Sequence, residues 1–90
     1  DALGYTKYNQ FFTIEFKVAK ANKVRFSSHQ IGWHMRHPYN TFICTEALGS
    51  GTVKLYEGST VRELAACGLK LEPLCLGLEA CSLWLTKLGA

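Results

Sequence analysis

The stretch Val53–Gly68, which reads V-K-L-Y-E-G-S-T-V-R-E-L-A-A-C-G, constrains the fold more than any other part of the chain. Its first four residues alternate with the period of two that indicates a strand with one buried face, and Glu57-Gly58 interrupts this pattern. Thr60 and Glu63 then stand at the spacing of a capping box, in which each side chain binds the backbone amide of the other residue at a helix start. Gly68 lies where a helix commonly ends in a left-handed residue. The stretch therefore predicts a strand, a turn and a short helix.

Two segments in the first third of the chain predict a β-hairpin. Phe11–Val18 alternates strictly between two faces, as a strand does. Lys23–Ser27 resumes the alternation after a short break that contains Asn22, a residue type that tolerates positive φ in turns. Pairing of the two segments gives a hairpin over Phe11–Phe26. Its apolar face holds Phe12, Ile14, Phe16 and Val18.

The stretch Ser27–His37 fits two structures. From Ile31 to Met35 every second residue is apolar, as in a strand, whereas Ser28 in a capping position favours a short helix. We favour the strand. Pro38 ends either structure, because proline lacks an amide donor and restrains the residue before it.

The second half of the chain predicts a further hairpin and a C-terminal helix. Tyr39–Glu46 alternates as a strand, and the turn Gly49-Ser50-Gly51 joins it to the strand at Val53. Leucines at helical spacing and a proline suited to the first helical position favour a helix over Pro73–Cys81. The last residues fit either a continued helix or a closing strand over Leu83–Thr86.

Together these elements predict one α+β domain over residues 1–90, which is either a processed protein or a piece of a longer chain. A small antiparallel β-sheet of four to five strands packs against one or two short helices. The predicted strands are Phe11–Val18, Lys23–Ser27, Tyr39–Glu46 and Thr52–Tyr56, and the main helix is Thr60–Cys67. The predicted core comprises Phe12, Ile14, Phe16, Val18, Val24, Phe26, Ile43, Val53, Leu55, Val61 and Leu64.

The string G-S-T-V-R-E-L-A-A at residues 58–66, placed after a short strand, resembles the strand-to-helix corner of ubiquitin-like β-grasp domains. The resemblance covers Val53–Gly68. It implies that Tyr39–Tyr56 is the hairpin before the helix and that further strands follow Gly68. Because few residues remain there, the Phe11–Phe26 hairpin would supply the missing strands in another chain order. A permuted β-grasp domain is therefore the alternative fold.

The net charge of +3 is unevenly distributed. Residues 1–40 carry six Lys/Arg and two acidic residues, which gives +4, whereas residues 41–90 carry four Lys/Arg and five Glu, which gives −1. Attraction to an anionic partner therefore belongs to the first half. Basic residues interleaved with aromatic ones suit single-stranded nucleic acid, which stacks its bases and contacts its phosphates. The candidate residues are Lys17, Lys20, Lys23, Arg25, Trp33 and Arg36.

Four cysteines, Cys44, Cys67, Cys75 and Cys81, allow two disulfides in three pairings, and none has the C-x-x-C spacing. We favour free thiols, which act as small buried hydrophobes. Free thiols in turn favour an intracellular protein. If disulfides form, the alternative is a small secreted, disulfide-stabilised effector or toxin-like protein. No apolar run approaches the roughly 20 residues of a membrane span.

Histidine and cysteine give no convincing catalytic or metal site. His29, His34 and His37 lie close in sequence, but in a strand they point to different faces and do not converge with Cys44. A Cys–His nucleophile pair meets the same obstacle. We therefore predict no enzyme, no cofactor and no metal.

The C-terminal segment carries more leucine than a domain of this size can bury on one helix face. A domain without a catalytic constellation commonly acts through a surface. We therefore expect a protein-interaction module with a protein partner or a homo-oligomer, and single-stranded nucleic acid as the alternative partner. The predicted interaction surface comprises Leu74, Leu78, Trp84, Leu85 and Leu88.

Overall fold

The computed structural model describes residues 2–90. Five strands and three α-helices follow one another along the chain. They are β1 (Ala2–Tyr5), β2 (Phe11–Ala19), α1 (Ser28–Arg36), β3 (Thr41–Ala47), β4 (Val53–Glu57), α2 (Val61–Cys67), β5 (Cys75–Leu76) and α3 (Leu78–Thr86). Short 3₁₀ turns at Gly58–Thr60 and Gly68–Lys70 flank α2.

The strands form one mixed sheet in the order β1-β2-β3-β4-β5. Strand β2 pairs with β3 in parallel, and the other neighbours are antiparallel. The α+β class and the mostly antiparallel sheet are therefore confirmed. The prediction of antiparallel pairing is wrong for β2 and β3, because α1 carries the chain back across the sheet before β3 begins.

The predicted strand over Ser27–His37 is wrong, since α1 occupies this stretch. Its N-cap is Ser27, whose hydroxyl accepts from the Gln30 amide at 3.1 Å, while the Gln30 side chain accepts from the Ser27 amide at 3.0 Å. This S-x-x-Q capping box stabilises a helix start and outweighs the apolar alternation that follows. Helix α1 is therefore capped one residue earlier than the Ser28 alternative supposed.

The predicted strand Lys23–Ser27 is also wrong. Lys20 and Lys23 form a single antiparallel bridge, after which the chain leaves the sheet. Val24 is buried and Phe26 packs beside it. Both residues therefore belong to the core under α1 and α2, although the segment that carries them is not a strand. Of the predicted hairpin over Phe11–Phe26, the first strand and the turn are therefore present and the second strand is not.

The predicted helix after β4 is confirmed as α2, but the Thr60 capping box is not formed. The Thr60 hydroxyl donates to the Glu57 carbonyl at 2.7 Å, and no side chain caps the helix. Instead, the 3₁₀ turn at Gly58–Thr60 leads into α2. Such a turn pairs some of the backbone amides that are left without partners at a helix start.

The last third of the chain departs from the predicted helix Pro73–Cys81. Gly77 has φ = 92°, which ends β5 and allows α3 to start at Leu78. Its amide donates to the Val53 carbonyl at 2.7 Å, so the corner is tied to β4. In the described residues, β5 is the one strand after α2, and the Phe11–Phe26 hairpin does not join the sheet as a permuted β-grasp domain requires.

The sheet separates two apolar cores. The helix-pair face, covered by α1 and α2, buries Ala19, Val24, Ile43, Tyr56, Val61, Leu64 and Leu69. The α3 face, covered by the C-terminal helix, buries Phe42, Leu55 and Cys81, with Phe12, Ile14, Cys44, Val53, Cys75, Trp84, Leu85 and Leu88 packed around them. Strand β3 is therefore buried on both sides.

Most of the predicted core is confirmed, but Phe16 and Val18 are exceptions. Their side chains are 55% and 60% exposed. The α3 face includes Phe12 and Ile14 from the first half of β2 and neither residue from its second half. Helix α3 is therefore too short to cover the whole strand.

Candidate functional site

A basic cleft of about 630 Å³ lies at the end of β2. Among the described residues that line it, none is acidic, and four of the six are cationic: Lys17, Lys20, Lys23 and Arg25, with Val18 and Ala21. A concave surface of one charge focuses the electrostatic potential and raises the local concentration of anions. We call this site the basic cleft.

A tight turn between Lys20 and Lys23 shapes the basic cleft. Ala21 and Asn22 have φ values of 49° and 66°, and the Lys23 amide donates to the Lys20 carbonyl at 2.9 Å. Two successive left-handed residues are typical of a type I′ turn, whose twist matches that of the flanking chain. Asparagine tolerates this conformation, whereas alanine adopts it at a cost of about 1 kcal/mol. The surrounding structure must therefore hold the turn.

The end of α2 holds this turn in place. The Leu69 amide donates to the Asn22 carbonyl at 2.9 Å. Gly68 approaches the same carbonyl so closely that a side chain there would overlap it, and its φ of 63° also favours glycine. The backbone of the turn is thus fixed relative to α2, which limits the backbone ordering required when an anion binds.

Lys17 differs from the other cations of the basic cleft because it already has partners. Its ammonium lies 3.3 Å from Glu15 Oε2, donates to Gln30 Oε1 at 2.8 Å and lies 5.0 Å from the centre of the Phe26 ring. The positive charge of Lys17 therefore interacts mainly with groups of the same domain. Lys20, Lys23 and Arg25 are exposed and carry most of the attraction for an external anion.

A buried acid–imidazole pair lies behind α1. His34, 1% exposed, has its Nε2 2.9 Å from Glu15 Oε1, so the pair joins α1 to β2. His34 Nδ1 is buried without a hydrogen-bond partner, and Gly58 packs so closely against it that a side chain at 58 would collide with it. Both ring nitrogens are therefore enclosed by protein, which does not suit a base that must reach a substrate.

The three histidines do not converge. His37 stacks on Trp33 with ring centres 4.6 Å apart, and its Nδ1 lies 2.8 Å from the Trp33 carbonyl. His29 and His34 both line a mostly apolar groove of about 360 Å³ beside Leu3, whereas His37 is not among the residues that line it. In the described part of the chain, no three His, Cys, Asp or Glu side chains are grouped as a metal ion requires.

The structure brings together four of the six predicted nucleic-acid residues. Trp33 and Arg36 lie on α1, outside the lining of the basic cleft. Sequence reasoning missed an exposed aromatic residue on the same strand: Phe16 shares a face of β2 with Val18, which lines the cleft. Its place in a strict apolar alternation gave no sign of exposure, which depends on where α3 ends.

The predicted interaction surface divides into two parts. Trp84, Leu85 and Leu88 pack into the α3 face, and the Trp84 ring meets Phe42 edge to face with centres 5.4 Å apart. Leu74 and Leu78 remain 37% and 69% exposed. The segment is therefore part of the core along one side and apolar surface along the other.

Comparison with protein-family models, with curated proteins and with solved structures finds no match to this chain. Among residues 2–90, no helix combines the length and the apolar character that a membrane span needs.

Proposed function

We propose that this chain is a non-enzymatic binding module whose basic cleft holds the phosphate backbone of single-stranded nucleic acid. The observation that carries the proposal is the convergence of the exposed cations Lys20, Lys23 and Arg25, beside Lys17, on one concave surface without an acidic lining residue. Neutralisation of phosphates by Lys and Arg releases counterions and supplies most sequence-independent affinity. The fixed turn at Ala21-Asn22 supports the proposal, since it presents the two lysines ready for binding.

Exposed apolar residues beside the cleft favour a single strand over a duplex. Phe16 is 55% exposed and Val18, two residues further along the same face of β2, is 60% exposed. Unpaired bases stack on aromatic rings, each for about 1 to 3 kcal/mol, whereas the bases of a duplex are not available for stacking. A strand whose phosphates follow Lys20 and Lys23 would bring a base within reach of Phe16.

Fluorescence anisotropy with a labelled oligothymidylate tests the proposal. Three exposed cations predict a slope near −2 for log affinity against log salt, about −0.7 for each neutralised phosphate. The triple variant Lys20→Ala, Lys23→Ala, Arg25→Ala should lose about tenfold or more in affinity at low salt. The control is Lys87→Ala, which removes a cation beyond α3 without touching the cleft. Equal loss in control and triple variant would contradict the proposal.

A second variant separates nucleic acid from other polyanions. Phe16→Ala should weaken binding of the oligothymidylate and leave binding of a duplex and of polyglutamate unchanged, because only unpaired bases stack. Preference for polyglutamate over the oligothymidylate would instead identify an acidic protein as partner. Absence of any binding at low salt would rule out a polyanion site.

Self-association is the second candidate, and the exposed side of the C-terminal segment favours it. Leu76, Leu78 and Leu83 are 58%, 69% and 54% exposed. Apolar surface of this kind marks an interface when it is contiguous. Sedimentation velocity of the full chain should show a dimer that Leu78→Ser with Leu83→Ser converts to a monomer. A wild-type monomer at high micromolar concentration would exclude this candidate and leave the nucleic-acid proposal untouched.

A further inference from the structure

Three of the four cysteines meet on the α3 face. Cys44 pairs across the sheet with Leu55, and Leu55 pairs with Cys75, so the three residues form a row over β3, β4 and β5. Cys81 of α3 belongs to the same cluster. Cys67 stands at the end of α2, beyond the opposite face of the sheet, so two disulfides cannot form within this fold.

Geometry excludes the Cys44–Cys75 pair and places Cys75 in direct contact with Cys81. Neighbouring strands lie about 4.8 Å apart, which places Cys44 and Cys75 roughly 10 Å apart with Leu55 between them. This separation exceeds the roughly 7 Å that a disulfide spans between Cα atoms. In contrast, the Cys81 thiol donates to the Cys75 carbonyl at 3.5 Å, and the Cys75 thiol hydrogen-bonds to the Cys81 side chain.

We propose that Cys75 and Cys81 are an oxidation site that forms one intramolecular disulfide, with Cys44 and Cys67 remaining thiols. The oxidant is a small-molecule disulfide such as glutathione disulfide. The thiolate of Cys75, the more exposed of the two, attacks one sulfur of the oxidant and releases one glutathione thiolate. The Cys81 thiolate then attacks the Cys75 sulfur and releases the second. Two thiols lose two protons and two electrons, and the glutathione disulfide is reduced to two glutathiones.

The environment of the pair makes the disulfide slow to form and slow to break. Burial, together with the hydrogen bond to Cys81, raises the pKa of the Cys75 thiol to about 12. The attacking thiolate is therefore scarce near neutral pH. A thiolate this basic is also a poor leaving group, so the finished disulfide resists exchange. The crosslink is accordingly structural: it ties α3 to the edge strand β5.

Oxidation of the folded, reduced chain in glutathione redox buffers tests the proposal. Unreacted thiols are alkylated after quenching, and the protein is mapped by mass spectrometry. Cleavage after Glu79, which lies between the two cysteines, separates Cys75 from Cys81 unless a disulfide joins them. We expect two alkylated cysteines, Cys44 and Cys67, and one linked pair of fragments. The melting temperature should rise on oxidation, since α3 is then tethered.

Matched variants make the outcome decisive. Cys75→Ala and Cys81→Ala should each block the linkage, whereas Cys44→Ala should retain it. The chain oxidised in urea is the control, because it should give mixed pairings. A folded chain that links Cys44, that stops at a glutathione adduct on Cys75, or that keeps four alkylated thiols while the urea control oxidises would each overturn the proposal.

Discussion

The two faces of the sheet are held together by different means. On the helix-pair face, several buried polar groups are hydrogen-bonded: Thr45 donates to the Lys54 carbonyl at 3.2 Å, the Tyr56 hydroxyl donates to the Leu71 carbonyl at 2.9 Å, and His34 Nε2 lies 2.9 Å from Glu15 Oε1. The α3 face buries Phe42, Leu55 and Cys81, and its packed neighbours are apolar or thiols. One face is specified by directional bonds and the other by shape and area.

This difference predicts different responses to substitution. A buried donor or acceptor that loses its partner bears its full desolvation penalty, about 1 to 3 kcal/mol. An apolar face loses only area and volume, and partly exposed residues lose less of both. The helix-pair face should therefore tolerate change poorly, and the α3 face should adjust.

The largest contrast is expected between two glycines with positive φ, one beyond each face. Gly68→Ala places a side chain on the Asn22 carbonyl and should destabilise the fold by more than about 4 kcal/mol, because backbone must move. Gly77→Ala meets no atom within 4 Å and should cost about 1 to 3 kcal/mol, because its φ of 92° and ψ of 147° lie near a region that essentially only glycine adopts. Urea denaturation measures both, and equal effects would contradict the comparison.

Substitution of one leucine on each face should give a smaller difference in stability than the two glycines. Leu64 is 0% exposed on the helix-pair face, so Leu64→Ala should cost about 2 to 5 kcal/mol of unfolding free energy. Leu85 is half-buried on the α3 face, and Leu85→Ala should cost less. A change below about 0.5 kcal/mol for Leu64 would mean that α2 does not pack as described.

The Glu15–His34 pair tests whether polar bonds define the helix-pair face. Glu15→Leu leaves His34 Nε2 buried without a partner and should destabilise by about 1 to 3 kcal/mol. The double variant with His34→Leu should recover part of this loss, since apolar residues of similar volume often replace a buried pair without penalty. A double-mutant cycle in urea measures the coupling free energy between the two residues. Strictly additive effects would show that the pair contributes no interaction energy to stability.

The last expected effect is confined to alkaline pH and is a loss of stability from the α3 face. Burial raises the pKa of Cys75 from 9.0 to about 12 in the folded chain. Between these values the unfolded chain releases a proton that the folded chain retains, so stability is complete below pH 9 and falls as pH rises toward 12. Thermal melts from pH 8 to 11 should show a shallower decline in Cys75→Ala than in the wild type. An unchanged slope would assign the decline to other groups, such as Tyr56, whose pKa burial also raises.

The sequence predicts those strands and that helix whose hydrophobic pattern is continuous within the element itself. Strands β2, β3 and β4 and helix α2 were predicted to within about two residues, because alternation or one-sided spacing persists through each. The S-x-x-Q box before α1 is also present in the sequence, but the apolar alternation of Ile31, Trp33 and Met35 favours a strand. The parallel pairing of β2 with β3 follows from α1, so one wrong element changed the topology.

The basic cleft was predicted in part for the same reason. Lys17, Lys20, Lys23 and Arg25 are close in sequence, and any turn after β2 brings them together. Trp33 and Arg36 belong to the same interleaved pattern of basic and aromatic residues in the sequence, but α1 places them outside the cleft. Exposure of Phe16 depends on the length of α3, more than sixty residues later in the chain, which no local pattern records.

The spatial order of the strands repeats their order along the chain. Each new strand can therefore pair with the one made just before it, and the sheet can grow stepwise during synthesis. The helix-pair face is complete once Leu71 has emerged, but Phe42 and Leu55 stay uncovered until α3 follows. Ribosome-bound chains that end before Leu78 should accordingly bind chaperones and hydrophobic dyes more strongly than chains that include α3.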